Sequence, residues 1–374
     1  MLRRTHLALL GAASLALAGC ASPTIATPEA RLEGSVWVAN EGASSVSVLD
    51  AETGDVVATL SGIAAPHNVQ ASGSRDVVWV TGAGGVIGLD ARGLHPTQVS
   101  PAGDHPAHVV ESAGGEVFVT AAGDGVVHRF TNTLRRPHTI EVGGGPHGMR
   151  LSADGTLGAV ANTSAGTVDL IHLAAGAHVQ PVEVGPSPVQ VAVSADGSTV
   201  FASVGGTSEV VRIDVATATV TGRVAVAASP AQIWLTRSGV VLSADQGTDR
   251  EPGSTLSFIN ASTMRIVDEV EVGSGPHGIT VSADESRAWV TNAYGGSVSV
   301  VDIDRRKVLE TVEVGAFPNG ITFSPVLPET PDEDPVTLVL PPSYSEASDS
   351  GEHSHGVDDE QTHDEAATEG DHGH

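Results

Sequence analysis

Apolar and polar residues alternate over short runs along most of the chain, and Gly, Asp, Ser and Pro fall between the runs. In one series, Gly278 opens a run to Ser282, a turn follows, and then come Ala288-Trp289-Val290-Thr291, residues 297–301 and residues 308–314. β-Branched residues at a period of two, bounded by turn formers, predict antiparallel strands. No stretch of this region sustains a 3.6-residue period, so helices do not compete.

The series repeats. A proline leading into a short apolar run stands at Pro66, Pro106, Pro146, Pro188, Pro230, Pro276 and Pro318, at spacings of 40, 40, 42, 42, 46 and 42 residues. Each period has room for four strands, the size of a β-propeller blade, and a single blade cannot bury its own faces. Seven periods predict an all-β, seven-bladed propeller of four-stranded antiparallel blades. The chain also enters out of phase. Strands at 36–38, 46–49 and 56–60 precede the first proline, and only one, at 320–323, follows the last. The seventh blade is therefore expected to close with three N-terminal strands and one C-terminal strand, which removes the open edges.

Trp289-Val290-Thr291-Asn292 followed by Ser297-Val298-Ser299-Val300-Val301-Asp302, and Trp37-Val38-Ala39-Asn40 followed by Val46-Ser47-Val48-Leu49-Asp50, resemble the YVTN repeat of YncE-type propellers. The resemblance spans about 34–325 and weakens in the second and third units, where the Asn after the second strand is absent. It implies an extracytoplasmic propeller. Because members of that family have varied roles, it implies architecture more firmly than activity.

The two ends have other characters. Arg3 and Arg4 precede an apolar run over 7–18, too short to cross about 30 Å of hydrocarbon, and this reads as a signal peptide. Leu17-Ala18-Gly19-Cys20 resembles a bacterial lipoprotein box, which implies that Cys20 is acylated and anchors an extracytoplasmic protein to a membrane. As the one cysteine, it leaves no disulfide within the chain. The organisation expected is a signal peptide at 1–20, a linker at 21–33, a propeller at 34–326 and an acidic, His-rich, disordered tail at 327–374, in a monomer. Of the formal charge of −27, about half lies in this tail, which has fourteen Asp and Glu and no Lys or Arg. A chain with Lys307 as its single lysine lacks the basic clusters that nucleic acid requires.

Candidate chemistry sits in two places. The tail carries His353, His355, His363, His372 and His374 among carboxylates that include Asp359, Asp364 and Asp371. In an extended chain each His-x-His presents two imidazoles on one side, a donor set that suits zinc first and copper or nickel next. The second place is the propeller channel, toward which the Pro turns bring His67, His108, His147 and His277, with Gln190, Gln232 and Asn319 nearby. These imidazoles either bind a metal or satisfy backbone groups between blades, and a ring of seven blades separates some of them.

No nucleophile elbow, His-Glu-x-x-His pair or phosphate-cradling loop is present, and the innermost strands carry only Glu111 and Arg150 as charges. These features point away from an enzyme. In composition and architecture the chain is similar to periplasmic zinc chaperones of the AztD type. That likeness implies a metal-handling accessory which docks the solute-binding component of a metal transporter. A non-catalytic surface scaffold and a lactonase-like hydrolase are the alternatives.

Overall fold

The computed structural model describes residues 32–341, apart from 132, 174–176 and 332, together with Tyr344. The described residues form seven sheets, each with four strands paired antiparallel. The innermost strands are Asn68–Ala71, Pro106–Glu111, Pro146–Leu151, Pro188–Val193, Pro230–Leu235, Pro276–Val281 and Pro318–Ser324, and we number the blades 1 to 7 in that order.

Closure follows the out-of-phase entry. In blade 7, Pro318–Ser324 pairs with Ser35–Asn40, with Val36 opposite Phe323 and Val38 opposite Ile321. Ser45–Asp50 and Val56–Ser61 follow outward. A fifth, short strand, Val336–Thr337, then runs parallel to Val56–Ser61, so the chain stays on the ring past 326, where the tail was expected to begin. The cause is a period-two apolar pattern, Val336, Leu338 and Leu340, which packs on the cluster of Trp37, Leu60 and Ile63. Tyr344 is buried in the same cluster.

Burial decreases outward across each blade, as expected where second strands are covered on both faces and outer strands meet water. Ser35–Asn40 is buried throughout, whereas Thr219–Ala225 alternates between exposed and partly buried positions. Trp37, Trp79 and Trp289, each on a second strand, fill the spaces between blades.

The repeat's polar residues stitch the ring together. The Thr or Ser near the end of the second strand accepts a hydrogen bond from its own innermost strand and donates one to the next blade. Thr120 Oγ1 accepts from the His108 amide at 2.9 Å and donates to the His147 carbonyl at 2.7 Å. Thr81, Ser203 and Thr291 donate equivalent bonds to Ala107, Ala231 and Asn319. Buried Asn40 and Asn292 each donate to two serines of the following strand. The hydroxyls and amide NH2 groups in these stitches are thereby satisfied from within the repeat, while the Asn40 side-chain oxygen is left buried without a partner.

Candidate metal centre

The Gly-Pro-His-Gly turn delivers side chains to the channel mouth for two local reasons. Its first glycine is left-handed, with φ of 68° at Gly145 and 66° at Gly275, a conformation that costs glycine little. Its second glycine admits the neighbouring blade. A Cβ on Gly148 would stand 2.4 Å from Gln190 Oε1 and 2.5 Å from the Val189 carbonyl. The imidazole between these glycines is left projecting at the mouth.

Blades 1, 2 and 3 are consecutive, and their turns bring His67, His108 and His147 together. Each offers a ring nitrogen within 4.8 Å of the others. Ring centroids lie 5.2 Å apart for His67 and His147, 4.9 Å for His108 and His147, and 6.0 Å for His67 and His108. Thr120, bonded to the backbones of both His108 and His147, fixes two of the three turns relative to each other.

The outward nitrogens are already bonded. His67 Nδ1 donates to Glu41 Oε2 at 3.2 Å, and His147 Nδ1 donates to the Val189 carbonyl at 3.0 Å. Both bonds leave the Nε2 lone pairs facing inward, where His67 Nε2 and His147 Nε2 approach to 3.2 Å. Two lone pairs at that distance repel, and either a proton on His67 Nε2, which makes the contact a hydrogen bond, or a metal ion between the rings removes the repulsion. Zn–N bonds of about 2.0–2.1 Å at tetrahedral angles separate ligand nitrogens by about 3.3 Å, so the spacing fits such an ion. His108 adds a third ring: its Nδ1 lies 3.4 Å from Gln190 Nε2, and its Nε2 is buried without a partner among the described residues.

Burial and mutual repulsion keep most of the cluster neutral, the form a metal requires. Burial first, then the neighbouring His67, lowers His147 to about 4. Burial, with His147, Arg150 and His67 adding to it, holds His108 well below the ordinary imidazole value. In His67, burial works downward but the Glu41 charge and hydrogen bond outweigh it and raise the pKa. Glu41 is itself buried, and Asn319 Nδ2 also donates to its Oε2.

Not every residue named from the sequence joins this cluster. His277 lies in blade 6, two blades round the ring from His67, and outside the group of three. Burial, then His67 and His147, lowers its pKa to about 3, against the Glu41 charge and the Asn319 backbone, which work the other way. Cys20 and the tail residues His353, His355, Asp359, His363, Asp364, Asp371, His372 and His374 lie outside the described residues.

Glu41 did not emerge from the sequence. Its signal is its place directly after Asn40, in the turn between the second and third strands, which shares a face with the Pro-His turns.

No family model and no curated protein matches the chain. The solved structures it resembles are propellers. A protein of unknown function from Desulfotomaculum acetoxidans matches with a TM-score of 0.65 at 14% identity, over 78% of this chain and 98% of that one. Apo AztD from Citrobacter koseri matches at 0.59 and 14%, over 78% and 98%. A virginiamycin B lyase from Staphylococcus aureus matches at 0.58 and 15%, over 69% and 91%. Identities this low establish the shared fold alone.

Proposed function

We propose that this protein is a non-catalytic metal handler, which holds one divalent transition-metal ion as cargo at its channel mouth through His67, His108 and His147. The observation that carries the reading is the 3.2 Å approach of two imidazole nitrogens whose other nitrogens are already bonded. Three neutral imidazoles suit zinc, with copper next. Glu41, bonded to the far side of His67, supplies the outer carboxylate that commonly fixes a metal-binding imidazole in one tautomer. The likeness to AztD in fold agrees with the resemblance in composition to zinc chaperones of that type.

In this reading the lipid on Cys20 tethers the propeller outside the cytoplasm, and the histidines and carboxylates of the tail capture ions from solution. The ion is then passed to the solute-binding component of a metal transporter. Calorimetric titration with Zn²⁺ of three proteins tests the central part: the mature chain, the chain truncated after Tyr344, and the His147→Ala variant. We expect the truncated chain to keep one tight site and His147→Ala to lose it. If His147→Ala in the truncated chain still binds one ion as tightly as its parent, the channel site is wrong.

A further inference from the structure

Arg150 is, with Glu111, one of two charges on the innermost strands and takes no part in the metal site. It lies on the innermost strand of blade 3, Pro146–Leu151, four residues after the blade's proline. The equivalent positions in the other blades are Gln70, Val110, Ala192, Trp234, Thr280 and Thr322, none of them ionised. Arg75, Arg129, Arg223 and Arg305 reach carboxylates elsewhere in the molecule. Among the described residues, the one hydrogen bond made by the Arg150 guanidinium is from Nη1 to its neighbour's carbonyl, that of Met149, at 2.9 Å. Four of its five N–H donors are left over.

Position makes this costly. Arg150 is only partly exposed, and desolvation by the surrounding protein lowers its pKa to about 10. It therefore stays ionised at any physiological pH, with no carboxylate bonded to it among the described residues. Its charge is close enough to His108 to help depress that imidazole, and the interior carboxylates are engaged elsewhere. Glu41 bonds His67 and Asn319, while Glu111 bonds Arg75 and Trp79. A buried charge of this kind is normally paired.

We propose that Arg150 is an anion site in the channel, and that its ligand is a small monocarboxylate. The planar fork of a guanidinium matches a carboxylate through two parallel hydrogen bonds. The equivalent residues of the adjacent blades, Val110 and Ala192, are packed into the apolar clusters between blades, so they bring no second charge to this level, and a monoanion balances the single guanidinium. A divalent phosphate would leave one of its charges uncompensated beside a single arginine. This site is independent of the metal reading, because it needs no ion at the histidines.

Acetate titrated by calorimetry into the metal-free mature protein tests the proposal, with acetamide as the neutral control and chloride and sulfate as competing anions. Acetate should bind and acetamide should not. Arg150→Met should weaken acetate binding at least tenfold, and Arg150→Lys, which keeps the charge without the fork, should weaken it less. Circular dichroism establishes that each variant is folded. If Arg150→Met fails to fold, Arg150→Lys together with the acetamide control carries the test.

Unchanged acetate affinity in the folded Met variant, or equal binding of acetamide, overturns the proposal. So does sulfate or chloride binding more tightly than acetate. The His147→Ala variant separates this proposal from the metal reading: it should lose Zn²⁺ and keep acetate within about twofold, whereas loss of acetate binding there would contradict an independent site.

Discussion

His147 and His277 occupy the same four-residue turn, Gly-Pro-His-Gly, three blades apart, and the structure gives them different surroundings. His147 has its outward nitrogen on the Val189 carbonyl and its inward nitrogen 3.2 Å from His67, with His108 alongside. His277 has Asn319 as the neighbouring turn residue and stands outside the cluster. The local motif projects an imidazole in both cases. What gathers three imidazoles is the identity of the side chains on the two neighbouring blades, a property of the ring and not of the repeat.

The largest test of this difference is to delete each imidazole in turn. His147→Ala should weaken Zn²⁺ binding at least about a hundredfold, whereas His277→Ala should change it less than about threefold, both read by competition with a chromophoric chelator. Equal losses would mean that the ring is more symmetric in function than the geometry indicates.

Next in size is Glu41. Glu41→Ala removes the partner of His67 Nδ1 and should cost about 10- to 100-fold in affinity, the usual range for such outer partners. Glu41→Gln retains an acceptor and should recover part of that loss.

The pH profile sharpens the asymmetry further. A raised pKa means that His67 takes up its proton first as pH falls, so Zn²⁺ affinity should drop about tenfold per unit below that point. His147 stays neutral to about pH 4, so the slope should steepen only near there. A slope of two or three protons already at pH 6 would contradict this order of titration.

Thr120→Val should lower affinity by a smaller factor, about 3- to 10-fold, because it unties the backbones of His108 and His147 without touching either ring. The same substitution at Ser203, which stitches blades 4 and 5, should leave affinity unchanged.

The smallest effect lies in blade 5. Asp245 stands where blades 3, 6 and 7 have Asn162, Asn292 and Asn40, opposite the innermost-strand proline or its near neighbours. Burial raises its pKa to about 6, against hydrogen bonds from Ser257 and Ser243 that work the other way. A carboxyl raised in the folded state contributes its full stability below the unfolded value and loses it as pH rises through about 6. Asp245→Asn should therefore raise stability at pH 8 by about 1–2 kcal/mol and change it little at pH 4, measured by denaturant unfolding. A gain that is the same at both pH values would exclude ionisation as its cause.

Most of the fold was legible because it is periodic. Prolines every 40 to 46 residues, turn formers between β-branched runs and the out-of-phase start were enough to place seven blades and their closure. The strand at Val336–Thr337 was less visible, since its apolar residues stand among the acids and prolines of 327–341 and were grouped with the tail.

The site was legible only in part. The spacing placed four imidazoles near one mouth, but which of them meet depends on blade adjacency and on the one-position difference that puts His108 one residue later in its turn. Glu41 was missed because a lone acid after Asn40 looks like any solvated turn residue. Only the ring places it against His67 and Asn319.

The measurement that tests the central claim most directly is an anomalous difference map, recorded at the zinc edge from crystals of the mature protein grown with one equivalent of Zn²⁺. The account predicts a single strong peak at the channel mouth, about 2.0–2.1 Å from a ring nitrogen of each of His67, His108 and His147. A channel mouth without a peak, in crystals whose zinc lies elsewhere, would contradict it.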